Sequence, residues 1–124
     1  MRRLIASDYL FDGCRFMTNH ALLVEDTGEI IDIVPQGAFE PRDVFFYPGL
    51  ITPGFINAHC HLELSHLKGL FSTGTGLIPF LNDVVSQRDF AQEKIDEAIQ
   101  AADADMWTNG IVAVGDISNK TDTI

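Results

Sequence analysis

Residues 51–69 read ITPGFINAHCHLELSHLKG, and this stretch decides the fold. Thr52, Pro53 and Gly54 interrupt the chain. Proline fixes φ and glycine frees the turn, so the next regular element starts beyond them. Residues 55–61 then read as a strand, with little alternation in the first half, as expected of a strand covered on both faces. Alternation assigns its sides. Phe55, Asn57, His59 and His61 share one face; Ile56, Ala58, Cys60 and Leu62 share the other. The second set is apolar and suits packing against helices, with Cys60 as a small buried residue. The first set brings His59 and His61 side by side, roughly 6 to 7 Å apart at Cα, close enough for both imidazoles to meet one cation. Imidazole suits Zn, Fe, Ni or Cu better than Mg or Ca. Paired histidines at a strand end are also ordinary surface residues, so HxH alone leaves both readings open.

Neighbouring polar residues extend the candidate site. Glu63 lies on the histidine face if the strand runs that far, either reading substrate or simply solvated. His66 is a second candidate substrate contact, with a structural role as the alternative. Asn57 is expected beneath the site as a support. His20 stands alone and reads as a surface residue.

Downstream, residues 68–76 (KGLFSTGTG) form a glycine-rich loop. A first helix is expected over residues 77–87 and a second over 90–108, opened by a capping box of Asp89 and Gln92. Ile95, Ala98, Ile99, Ala102 and Met106 keep helical spacing and mark the buried face. Asn109 and Gly110 stop the helix, and residues 111–114 (IVAV) form a short apolar strand ending at Gly115 and Asp116. Asp116 falls near the candidate site by position only. Strand, helical crossover and strand make a βαβ unit.

Upstream, residues 21–25 and 29–34 flank Asp26-Thr27-Gly28 and predict a hairpin; residues 8–11 and 44–47 are further short strands. These suggest a small antiparallel region over 1–52, followed by the start of a parallel α/β domain over 53–124.

The 124 residues carry a net charge of −10 and no basic stripe. Nucleic acid and anionic membrane need clustered Lys and Arg, so neither is an expected partner. The apolar run after Met1, Arg2 and Arg3 is too short for a signal peptide, and no segment is long and apolar enough to span a bilayer. Cys14 and Cys60 are far apart in sequence and are expected as free thiols, in the cytoplasm.

The run Pro53, Gly54, Phe55, Ile56, Asn57, Ala58, His59, Cys60, His61 resembles the signature that opens the catalytic barrel in the amidohydrolase superfamily. The hairpin ALLVEDTGEIIDIVP looks like the small β-sandwich strands before that barrel, and NGIVAVGDIS looks like its second strand. With HLELSHLKG and GLIPFL following, the chain is similar to the deaminase and chlorohydrolase branch, and within it to aminodeoxyfutalosine deaminases. The resemblance implies an α/β protein: a small β-sandwich portion, then the first βαβ unit of a TIM-like (β/α)8 barrel. It implies His59 and His61 as ligands of a divalent cation, Zn first, with Fe or another transition metal as alternatives. The cation would activate water for attack on a C–N bond of a purine-like or other heterocyclic small molecule. A homo-oligomer is expected.

Such a barrel needs about 250 residues. The chain is therefore expected to be the N-terminal part of a longer enzyme, holding half a metal site and no catalytic residue of its own. The alternatives are a self-contained metal-binding module using His59, His61 and His66, and a non-catalytic β-sandwich interaction domain. A cupin-like barrel places its glutamate further beyond the HxH than Glu63, and the expected long helix argues against an all-β barrel.

Overall fold

The computed structural model describes residues 2–123, apart from the Pro41 side chain; Met1, which heads the run tested as a signal segment, and Ile124 lie outside the described residues. The chain divides between Pro53 and Gly54 into two compact units.

The first unit contains two sheets. β1 (Arg2–Ala6), β4 (His20–Glu25), β5 (Ile30–Pro35) and β6 (Val44–Phe46) form one, in the order β5-β4-β1-β6. β2 (Tyr9–Phe11), β3 (Phe16–Met17) and β7 (Leu50–Ile51) form the other, in the order β3-β2-β7. The predicted hairpin is β4–β5. Gly28, at φ +89°, makes its turn, and the Glu25 and Gly28 amides donate to Glu29 and Glu25 carbonyls at 2.9 Å each.

One expectation needs correcting. The unit is mixed rather than antiparallel, because β6 joins β1, and β7 joins β2, in parallel. Residues 36–43 carry the chain back across the sheet through two 3-10 turns, so β6 enters in the same direction as β1. β1 itself sits inside the sheet. Ala6 faces Ala21 in register, both fully buried, and with Leu4 they seed a core lined by Leu23, Val34, Phe39 and Val44.

The second unit pairs β8 (Phe55–Cys60) with β9 (Ile111–Asp116) in parallel, joined through α1 (Leu77–Gln87) and α2 (Gln92–Thr108). The expected periodicity holds in α2. Ile95 is buried and Ala98, Ile99, Ala102 and Met106 are half-buried. That face packs on the 3-10 helix Leu62–Leu67 and on β9. Gly110, at φ +81°, ends the helix, donating to the Trp107 carbonyl at 3.0 Å.

Two predicted details differ. The capping box does not form. Ala91 takes the N-cap position, and the Gln92 amide bonds Asp96 one turn on, at 2.8 Å, so the helix starts later than expected. Ile56 and Ala58, expected under helices, are exposed, because α2 lies against the Leu62–Leu67 segment and β9.

Two glycines fit β8 against β9. A Cβ on Gly54 would run into the Val112 side chain. A Cβ on Gly115 would meet the Ala58 carbonyl oxygen at 2.8 Å, and backbone cannot step aside as a side-chain tip can. Gly115→Ala is therefore expected to destabilise the second unit by about 1–3 kcal/mol, the usual cost of overpacking. Urea denaturation of the variant checks this; an unchanged midpoint would show that the strands separate freely.

Candidate metal centre

β8 and β9 run in parallel, so their C-terminal ends lie together. His59 stands at that end of β8, His61 directly follows its last residue, and Asp116 closes β9. The two histidine rings are 4.9 Å apart at their centroids, tilted by 77°. Their Nε2 atoms are 3.1 Å apart. Two nitrogens about 2.0–2.1 Å from one tetrahedral zinc would themselves be about 3.3 Å apart. The pair thus has the spacing of two ligands to a single cation.

The rest of the His61 ring supports the same chemistry. Its Nδ1 lies 2.7 Å from the Ile117 carbonyl oxygen. A carbonyl only accepts, so Nδ1 carries the proton; in the neutral ring Nε2 then bears a lone pair, which accepts from His59 Nε2 at 3.1 Å and is the atom a cation would take. Histidine ligands are commonly fixed this way by a carbonyl behind them.

The loop after β9 supplies that carbonyl and is tied down at several points. The Ile117 amide donates to the Cys60 carbonyl at 2.8 Å. Asp116 accepts the Leu62 amide and the Thr123 hydroxyl, at 2.8 and 2.7 Å. Asp116 thus has a definite structural partner in the segment that bears the histidines.

Glu63 is turned into the protein and only 3% exposed. β8 stops at Cys60 and the chain enters the 3-10 helix, so the alternation that would have put Glu63 on the histidine face is lost. Its carboxylate accepts from the Asn119 amide at 2.9 Å and the Ser118 hydroxyl at 3.1 Å, with the Arg88 guanidinium 3.7 Å away. Burial is the largest single influence on this carboxyl and pushes its pKa up. The Asn119 side chain and backbone, Ser118 and Arg88 together outweigh it and hold the group below its ordinary value.

His66 is likewise committed within the chain. Its Nε2 is 3.1 Å from the Arg88 carbonyl, and its ring meets Phe90 edge-on at 5.0 Å. Among the described residues, no group of three or more His, Cys, Asp or Glu side chains converges as a metal site, so the three-histidine arrangement does not assemble. The strand register shifts between Asn57 and Cys60, and the Asn57 amide points to the Met106 sulfur of α2 at 3.9 Å. Asn57 nevertheless supports the histidine segment, because its side-chain oxygen accepts the His59 amide at 3.3 Å. Both cysteines are free thiols. The Cys60 thiol is pushed up, first by burial and then by the Asp116 charge.

No family model matches the chain. A curated relative, an adenosine deaminase of Helicobacter pylori, is 32% identical over 107 residues, which is 78% of this chain and 26% of the relative. The fold is similar to the Helicobacter pylori aminofutalosine deaminase solved in complex with methylthio-coformycin, with a TM-score of 0.70 and 24% identity over 94% of this chain and 30% of that one. An amidohydrolase from Brucella melitensis has the same TM-score at 17% identity, over 94% of this chain and 26% of that one. The chain spans about a quarter of the length of the curated relative it matches. With the Pro-Gly-strand-HxH run at the head of its second unit, the chain resembles part of that deaminase in sequence and part of those two enzymes in fold.

Proposed function

We propose that this chain carries the first two cation ligands, His59 and His61, of a metal-dependent hydrolase that cleaves C–N bonds. The observation that carries this reading is the 3.1 Å approach of the two Nε2 atoms, with His61 Nδ1 engaged behind them. A divalent cation bound there, Zn before Fe, supplies Lewis acidity, making water a nucleophile near neutral pH. His59 and His61 hold it and present it at the C-terminal end of β8, where barrel enzymes of this class place their chemistry.

The relative named as an adenosine deaminase supports a deaminase of a purine-like or other heterocyclic small molecule. The first unit would be the small β-sandwich portion and the second the opening βαβ unit of a TIM-like barrel. Further ligands and the group that moves the proton would come from outside this chain, leaving the chain alone inactive. We place the enzyme in the cytoplasm. Among the described residues, no helix is long and apolar enough to cross a membrane.

The test is an ammonia-release screen across nucleosides and related heterocycles, using the longer enzyme that contains this chain. His59→Ala and His61→Ala are expected to lose metal and activity together. Full activity in a metal-free double variant would overturn the reading.

A further inference from the structure

We infer that Glu63 is a positioning residue for His61, acting through the loop after β9 rather than on substrate; this rests on the reading of His59 and His61 as cation ligands. His61 owes its orientation to the Ile117 carbonyl, 2.7 Å from its Nδ1. That carbonyl belongs to an exposed loop, so something must hold it. The Ile117 amide and Asp116 secure the near side of the loop on Cys60 and Leu62. Beyond Ile117 the loop is anchored on the buried Glu63 carboxylate, which takes the Asn119 amide and the Ser118 hydroxyl, and further on by the Thr123 hydroxyl on Asp116. Asn119 is the firmer link. The Ser118 oxygen also lies 2.7 Å from the Lys120 carbonyl, and its single proton serves one acceptor at a time.

Glu63 is fixed in turn by Arg88, from the connection between α1 and α2. The bonds therefore run from Arg88 to Glu63, then to Asn119, and along the chain to Ile117 and His61. Without the anchor, the Ile117 carbonyl moves with its loop. His61 then samples both tautomers, and the form protonated on Nε2 cannot ligate a cation through that atom, the one that faces His59.

The experiment uses the 124-residue chain. Nitrogen-15 NMR of the histidine rings reports the tautomer of His61 without metal, and zinc affinity is measured by competition with a chelating dye. The unmodified chain is expected to show His61 protonated on Nδ1. Asn119→Ala removes an exposed side chain and leaves the fold intact; it is expected to give a mixture of tautomers at His61 and about 10-fold weaker zinc binding, the lower end of the usual effect of outer partners. Glu63→Gln, which keeps one acceptor oxygen, should lie in the same direction. His20, whose Nδ1 faces the Thr18 carbonyl in the other unit, should not change and serves as the control.

A lower denaturation midpoint with an unchanged His61 spectrum would mean that the network is only structural and would overturn the inference. A spectrum that responds in a chain with no zinc affinity would uphold the positioning role and sink the metal reading instead. Zinc binding with a spectrum and affinity indifferent to both variants would do the reverse.

Discussion

The chain with His59 and His61 both replaced by alanine is expected to lose measurable affinity for Zn, a drop of at least about 100-fold, since even outer partners of a metal site contribute about 10- to 100-fold. The two Nε2 atoms converge to 3.1 Å, and among the described residues no third His, Cys, Asp or Glu joins them. Both ligands are thus removed at once, and nothing nearby substitutes. The unmodified chain should bind weakly, because two imidazoles leave half a tetrahedral shell to water. The replacements should cost little stability, because both side chains are exposed. Calorimetric titration with zinc, alongside a denaturation curve, separates these effects. Stoichiometric metal that resists chelators in the unmodified chain would point to a complete site and refute the half-site reading. Equal affinity in the double variant would move the cation elsewhere.

The parts of this structure that were legible in the sequence are those fixed by local rules. Gly28 sets the β4–β5 turn, the Ile95–Met106 stripe sets the inner face of α2, and Gly110 ends that helix. HxH on a strand placed His59 and His61 together for the same reason, since alternation is a property of the backbone. What could not be read depends on partners distant in sequence. β1 is five residues headed by two arginines, and only its pairing with β4 and β6 makes it a core strand. Its parallel pairing with β6 has no local signature. Glu63 looked like a strand-face carboxylate until the chain turned into the 3-10 helix Leu62–Leu67, and its partners Arg88, Ser118 and Asn119 lie 25 or more residues away in sequence. The register shift in β8 between Asn57 and Cys60 is also invisible to simple alternation.

The second large effect is expected in the state of association. The β8–β9 sheet has two strands, and each has one edge with no strand neighbour among the described residues. Open edges recruit other chains. Phe55 and Ile56 of β8 are 60% and 68% exposed, and Leu77, Ile78 and Val85 of α1 are exposed too. Exposed apolar side chains of this size favour contact with a second chain. The net charge of −10 opposes contact, but at physiological salt its reach is about 8 Å, shorter than the approach it would need to prevent. Strand pairing and apolar burial act at contact, so they should win once chains meet. Light scattering over a concentration series is expected to show dimers or larger species growing with concentration. Ile56→Lys should shift that growth to at least about 10-fold higher concentration, equivalent to roughly 1.4 kcal/mol of lost contact. Lysine is the informative choice because it brings the net charge closer to zero. Weaker association then cannot come from stronger overall repulsion; it must come from lost apolar contact and a strand that no longer invites a neighbour. A monodisperse monomer at high micromolar concentration, with one cooperative melt, would show that the second unit needs no further cover.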